Sequence, residues 1–386
     1  MKRRGKGEGS IYQRPNGTWS ALVHVTLPNG DDKRVSVTAK TYNEVRVKVR
    51  ELLERKSRHI PYIEKEWTVS EYLDYWIKEV HPKRVRESTL ETYERTIRCH
   101  IKPTLGGHKL KNLNVQNVMC ALEELKNRGH SGRTGQKCLV ILAACLKNAM
   151  REELIFRNVA KLVEKPKHTP KETAIWTSEQ AVHFLETIKN HPQRIAFLLY
   201  LCYGMRRGEI LGLRWCDVDF DKQLIHVRQQ IGRVRGENKA WELKTKRSRR
   251  PLPLIDVVHD ALINHAKKSG VIITKFNPCF ELSEQDTIVI SKAGTPLEPR
   301  NLERLFHNLR KKAGLPHIKP HATRNMITTA LKELGVPDKD IQLILGHASI
   351  ITTLDIYQHG TPEIQRAGIS AVGEKLTGCE LMANHL

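Results

Sequence analysis

At 386 residues the chain is too long for one ordinary domain, and 65 Lys+Arg against 42 Asp+Glu leave a net charge of +23. The excess is +8 over residues 1–65, +7 over 66–168 and +8 over 169–386, which argues against a neutral enzyme with one basic tail and for a polyanion, nucleic acid by default, along the whole length. With 39% hydrophobic residues it can bury cores, but it lacks an apolar run of bilayer length, and its basic start (Met1 to Gly7) leads into no apolar segment, so neither a membrane span nor a signal peptide is expected.

The first elements predicted are strands. Trp19, Ala21, Val23 and Val25 alternate with Ser20, Leu22, His24 and Thr26, the period of a half-buried strand, and Val35 and Val37 continue the pattern in a third strand. Asn16-Gly17 and Asn29-Gly30 read as hairpin turns in which both residues take positive φ. Thr41-x-x-Glu44 is a capping box that opens a helix with Val45, Val49, Leu52 and Leu53 on one face, ending near Arg58. A basic three-stranded sheet with a packed helix suits a DNA-reading module, with Arg14, Trp19, Lys33 and Arg34 as candidate contacts.

Residues 66–164 read as a helical bundle. Thr68-x-x-Glu71 and Ser88-x-x-Glu91 are two more capping boxes, followed by the stripes Leu73, Trp76, Ile77, Val80 and Leu90, Tyr93, Ile97, Ile101. Pro103 and Gly106-Gly107 are expected to end that run. Further stripes lie at Val115, Val118, Met119, Leu122, Leu125 and at Leu139, Leu142, Ala143, Leu146, Met150. The glycines between Gly129 and Lys137 lack phosphate-loop spacing and are expected to form a loop between helices. The eight cysteines show no Cys-x-x-Cys pair and no zinc-type cluster, so free thiols are expected, with Cys138 and Cys145 filling the bundle core.

Glu164 to Lys171, with two prolines and no periodicity, reads as the domain boundary. Beyond it Ile195 to Leu201 reads as a buried helix. Leu224 to Arg228 and Pro251 to Leu254 flank a basic, strand-like stretch, and helices resume after Asn301.

Four stretches could carry chemistry. In Gly204-Met-Arg206-Arg-Gly-Glu209 a buried helix breaks and presents Arg206 at the edge of a core, with Glu209 close enough to brace it. Lys244 to Arg250 holds five cations in seven residues, with Lys246, Arg247, Arg249 and Arg250 as candidate DNA contacts. His321 and Arg324 lie one helical turn apart. Gly346 is expected to close a helix running from Asp338 to Leu345, with His347 next and Ser349 capping a helix whose stripe Ile350, Leu354, Tyr357 carries a tyrosine.

Together these stretches resemble the tyrosine recombinases of the phage and conjugative-transposon integrase type. Gly204-Met-Arg206-Arg-Gly-Glu209, Lys244-Thr before a basic run ending in Pro-Leu-Pro-Leu, His321-x-x-Arg324, Leu345-Gly346-His347 and Tyr357 stand in the family's order, over nearly the whole chain. Thr323-Arg324-Asn325-Met326 departs from the family's habit of Leu before the arginine and His then Thr or Ser after it, a change that bears on the packing around Arg324.

The resemblance implies a multidomain chain, mainly α with small β-sheets. It places an arm-type DNA-binding domain with a three-stranded sheet and a helix at 1–58, a helical core-binding (SAM-like) domain at 66–164, and an α+β catalytic domain at 172–386. It implies a site-specific recombinase that cuts and rejoins DNA strands through a 3′-phosphotyrosine link, integrating and excising a mobile element. Arg206 and Arg324 would clamp the phosphate, His321 and His347 would complete the donors, Tyr357 would attack, Lys244 would protonate the leaving oxygen, and Glu209 would support an arginine. Arginine suits such a clamp because it stays charged and presents a planar fork to phosphate. No cofactor and no metal is implied, since the bond energy stays in the covalent link, and the sequence shows no Walker motif. Implied partners are double-stranded DNA with core-type and arm-type sites, a homotetramer on DNA, an excision factor and a host DNA-bending protein, in the cytoplasm and nucleoid of a bacterium. The tail Thr361–Leu386 would dock on a neighbouring subunit through Ile364, Ala367, Ile369, Val372 and Leu376, or else pack on its own domain. The rival readings are a DNA-binding regulator that does not cut and a type IB topoisomerase-like activity.

Overall fold

A computed structural model describes residues 11–27, 30–60, 62, 66–169, 174–243, 248–273, 277, 281, 283 and 285–346. The chain divides into two units, Met1–Pro170 and Lys171–Leu386. Among the described residues no helix is long and apolar enough to cross a membrane.

The first unit holds two separate apolar cores. One lies between a sheet and a helix. Strands β1 (Ile11–Gln13), β2 (Trp19–Thr26) and β3 (Asp32–Ala39) form an antiparallel sheet in that order, with Ala21 opposite Val37 and Val23 opposite Val35. Helix α1 (Tyr42–Ser57) covers one face and buries Val45 and Val49 against Ala21, Val23, Val25 and Val37. Thr41 caps α1 by accepting from the Glu44 N–H, and the helix ends at Arg58. The turns differ from the reading above. In the first, only Gly17 takes positive φ and Arg14 and Thr18 close a three-residue loop, so the extra residue relieves Asn16 of the left-handed conformation. Asn29 lies outside the described residues.

The second core belongs to a bundle. Helices α2 (Val69–Tyr75), α3 (Glu87–Thr96), α4 (Lys102–Leu105), α5 (Val115–Asn127) and α6 (Gly132–Arg151) enclose Leu73, Trp76, Ile97, Ile101, Leu142 and Leu146. The Thr68/Glu71 capping box is complete. Ser88 and Glu91 form no box, because α3 starts at Glu87 with Arg86 as its cap and Ser88 lies inside it. Pro103 does not stop the run either. A π turn over Ile97–Ile101 widens the helix just before it, and α4 carries the proline in its first turn. The expected 129–137 loop is shorter, since Ser131 caps α6 and the chain is helical from Gly132. Met119 and Met150 point outward rather than into the core. Cys138 and Cys145 are buried free thiols in the core, and burial pushes the Cys138 thiol up to about 11.

In the second unit α8 (Arg194–Tyr203) is buried almost all round, as its continuous apolar run requires. Packed against it are α7 (Ser178–Thr187), α9 (Arg207–Gly212), α10 (Asp256–Ser269) and α12 (Ala322–Glu333). Trp176, Phe184, Phe197 and Phe306 of α11 (Pro299–Lys312) make an aromatic cluster with ring centroids 5.1–6.1 Å apart. Strands β4 (Val218–Asp219), β5 (Leu224–Val227) and β8 (Arg250–Pro253) form one small antiparallel sheet. Strands β6 (Gln229–Val234) and β7 (Glu237–Glu242) form a hairpin between β5 and β8. Helix α10 precedes the point where helices were expected to resume. Helix α13 (Asp338–Leu345) runs as its sequence predicts and ends at Gly346.

Candidate active site

The site is built on two helix ends. Helix α8 stops at Gly204, which takes φ +59°, a left-handed conformation that costs other residues about 1–2 kcal/mol. A side chain there would also meet Leu345 at 3.0 Å. The turn lets Arg206 cap α9 with its backbone, and Glu209 closes the arrangement. Oε2 of Glu209 accepts the Arg206 backbone N–H at 3.0 Å, and its Oε1 accepts Arg206 Nη1 at 2.6 Å. Glu209 is 1% exposed, while Arg206 keeps an open side. The adjacent Arg207 turns away to pair with Glu303.

The second helix end is the C-terminus of α13, whose last carbonyls have no partner within the helix. Three consecutive carbonyls there are taken by three different arginines. Arg250 Nε donates to Ile344 at 2.7 Å, Arg324 Nη2 donates to Leu345, and Arg206 Nη2 donates to Gly346 at 3.1 Å. The negative end of the helix dipole adds to the attraction. Arg324 Nη1 also donates to the Gly204 carbonyl at 2.8 Å, so both helix ends meet at this one buried guanidinium. Thr323 donates to Pro320 and Thr328 to the Arg324 carbonyl, and Met326 fills the core. Arg324 is thus held by carbonyls and by its own helix.

The charges are strongly coupled. Burial would raise the Glu209 carboxyl, but Arg250 and Arg206 outweigh it and the group is held below the usual carboxylate range. Burial and the charge of Arg206 bring Arg324 down to about 9, which leaves it protonated at neutral pH. His321, the residue before α12, is pushed below the usual imidazole value by desolvation and then by Arg324 and Arg206. Its ring is therefore neutral at pH 7 and can accept a proton.

The structure thus brings together Arg206, Glu209, His321, Arg324 and Arg250. Arg250 was read as a DNA contact, and this needs correction: it is 7% exposed, with Nε, Nη1 and Nη2 engaged by Ile344, Ser248 and Glu209. Its position on β8 explains this, since residues 250 and 252 face inward while 251 and 253 face out. Arg249 does lie at the surface, paired with Glu242 at 2.8 Å. Lys244, Lys246, Arg247, His347, Ser349, Tyr357 and the tail 361–386 lie outside the described residues.

In the first unit the sheet face opposite α1 carries Tyr12, Ser20, Leu22, His24, Arg34, Ser36 and Thr38. Arg14 lies over it, donating to Ser20 at 3.2 Å and Ser36 at 3.4 Å, and Arg34 reaches His24 at 3.4 Å. Trp19 is corrected. It faces α1 and packs edge-on against Tyr42, 5.1 Å between centroids, because it shares the parity of Ala21 and Val23. Lys33 shares that parity but is exposed.

Residues 175–363 match the phage integrase family, and residues 68–126 match the N-terminal SAM-like domain of phage integrases. The chain belongs to the tyrosine recombinases, of the integrase type. Such a protein is a tyrosine-type site-specific recombinase. A XerC-like tyrosine recombinase of Caldanaerobacter subterraneus subsp. tengcongensis is 27% identical over 380 residues, 93% of this chain and 97% of the relative. An integrase of Streptomyces ambofaciens is 25% identical over 367 residues, 92% of this chain and 93% of its own. Among solved structures, the Tn1549 transposon integrase in complex with a circular intermediate DNA superposes with a TM-score of 0.68 at 24% identity, covering 79% of this chain and 99% of its own. A lambda integrase tetramer bound to a Holliday junction gives 0.58 at 18% identity, covering 92% and 96%. These superpositions bear on the fold, which is the multidomain, mainly α arrangement with small sheets that the sequence implies.

Proposed function

We propose that this recombinase cuts and rejoins double-stranded DNA with Tyr357 as nucleophile and Arg206, Arg324, His321, His347 and Lys244 around the phosphate. The observation that carries the reading is the pair of arginines set on the end of α13, with His321 close enough for both to lower its pKa. The open side of Arg206 suits a phosphodiester, whose non-bridging oxygens gain charge during displacement, and Arg324 stands buried beside it with both Nη groups on carbonyls. The Tyr357 oxygen attacks phosphorus, the bond to the 5′ oxygen breaks, and Lys244 protonates that oxygen. The products are a 3′-phosphotyrosine link and a 5′ hydroxyl. His321 or His347 takes the phenolic proton. Attack by a 5′ hydroxyl from a partner strand reverses the step, so no outside energy source is consumed.

The domain assignment follows the separate cores. Residues 1–58 read arm-type sites through the open sheet face with Arg14 and Arg34, 66–164 hold the core-type site, and 172–386 carry the chemistry. Exchange of two duplexes takes four cleavages and therefore a homotetramer on DNA, with an excision factor and a host DNA-bending protein setting direction. The protein then works on the nucleoid, in the cytoplasm of a bacterial host.

Covalent trapping tests this. Full-length protein is mixed with nicked duplexes from the DNA flanking its gene, without metal or ATP. An SDS-resistant, protease-sensitive protein–DNA band that is lost in Tyr357→Phe is the expected result. Tight binding with no band on any fragment, host extract included, would mean a regulator that does not cut. Relaxation of supercoils without joining of two sites would mean a topoisomerase.

A further inference from the structure

We propose that Arg250 is a positioning residue for cleavage, holding strand β8, Glu209 and the end of α13 in one geometry so that Arg206 faces the phosphate. The inference rests on the reading of Arg206 as a phosphate ligand.

Two separate paths lead from Arg250 to Arg206. The first runs through the carboxylate. Arg250 Nη2 donates to Glu209 Oε2 at 3.1 Å, and that same oxygen accepts the Arg206 backbone N–H, while Oε1 holds Arg206 Nη1. The second runs through the helix. Arg250 fixes the Ile344 carbonyl, and two residues on, the Gly346 carbonyl accepts Arg206 Nη2. The contact with α13 is close enough to shape the sequence: a Cβ built on Gly346 would lie 2.8 Å from Arg250 Nη1 and 3.1 Å from its Cζ. Glycine at 346 therefore serves both its φ of +64° and the guanidinium lying against it.

Arg250 itself does not meet the phosphate in this arrangement. Each of its three nitrogens is committed to an internal acceptor, and the side chain is 6% exposed. It begins the strand that follows the basic segment 244–249, and α13 leads directly to His347. A guanidinium tied to β8 and to α13 holds both against one carboxylate. Lysine would keep the charge but could not span three acceptors in one plane.

The experiment compares wild type, Arg250→Lys, Arg250→Met and Glu209→Gln in the full chain, reading DNA affinity against salt, melting temperature and the rate of covalent adduct on a nicked duplex. Arg250→Met should slow adduct formation about 100-fold, the usual effect of a misplacement near 1 Å, while affinity and its salt slope hold. Arg250→Lys should recover part of the rate. In the Glu209→Gln background Arg250→Met should cost less than it does alone, because the path through the carboxylate is already lost and only the one through Ile344 remains. A salt slope that drops by about 0.9 with the rate intact would make Arg250 a phosphate contact and overturn the proposal. Equal losses of rate and melting temperature in both Arg250 variants, additive with Glu209→Gln, would make it a purely structural residue and also overturn it. If wild type forms no Tyr357-dependent adduct, the underlying functional reading fails first and this proposal falls with it.

Discussion

Glu209 is the one carboxylate that Arg206 and Arg250 share, and replacing it with glutamine is the sharpest single perturbation of the site. The shape is kept and the charge is lost. At 1% exposure Glu209 has no solvent to replace its partners, and Arg250 is nearly as buried. Removing one member of such a pair costs about 3–5 kcal/mol, because the remaining charge stays desolvated. A unit of about 200 residues loses roughly 2–4 °C of melting temperature per kcal/mol, so a fall of roughly 6–20 °C is expected by scanning calorimetry at pH 7. The effect has a pH signature. The carboxyl is held below its unfolded value of about 4.3, so its stabilisation is complete above that pH and fades as pH falls through the lower folded value. The gap between wild type and Glu209→Gln should therefore close in acid. A shift at pH 7 under about 2 °C, less than 1 kcal/mol, would refute the account of Glu209 as a desolvated counter-ion. So would a gap that stays constant from neutral to strongly acid pH.

Gly346→Ala and Gly270→Ala carry the same left-handed strain, at φ +64° and +67°, but only Gly346 touches Arg250, while nothing lies within 4 Å at Gly270. Gly270→Ala should lose about 1–2 kcal/mol in thermal melts, and Gly346→Ala should lose more and alone slow adduct formation, because its Cβ also displaces Arg250. The depressed His321 pKa places protonation below the ordinary imidazole value of about 6.5, so the cleavage rate should fall with an acid limb beneath that pH as the ring gains a proton. His321→Gln should remove that limb in a pH–rate profile. In the sheet module, Arg14→Ala with Arg34→Ala should lower the salt slope of arm-type DNA binding by about 2, read by fluorescence anisotropy. Trp19→Ala should instead lower the melting temperature of the module, since its ring is spent on Tyr42.

Much of this was legible in the chain itself. Helix α13 and its glycine stop, the break at Gly204 and the bracing of Arg206 by Glu209 follow from local rules about caps and spacing. Two of the misreadings share one cause. Arg250 and Trp19 were taken as DNA contacts for their residue types, yet strand parity already set Arg250 with Leu252 and Trp19 with Ala21 and Val23, on the buried side. Pro103 and the Ser88 box fail for another reason. Residue identity marks where a helix can start or stop, but packing of Leu90, Ile97 and Ile101 into the bundle core decides whether it does. No local rule could reveal that three arginines from three distant segments converge on one helix end.

That convergence also explains why the site wants an anion. Among the described residues three guanidinium groups stand against the Glu209 carboxylate and the partial negative charge, about half an electron, at the end of α13. The arrangement is left clearly positive, and burial first and the neighbouring guanidinium charges second lower the Arg324 and His321 pKa values. Arg324 and Arg250 have their forks turned largely to carbonyls and to Glu209, so the remaining charge is presented through Arg206, the one arginine of the three with an open side. In the proposed function a phosphodiester at Arg206 supplies the missing negative charge, and the added charge of a displacement transition state gains more than the ground state does. The rigidity that makes this work comes from the carbonyls. Because the arginines are anchored to backbone carbonyls of a helix end and to one buried carboxylate, the proposed clamp is set before DNA binds.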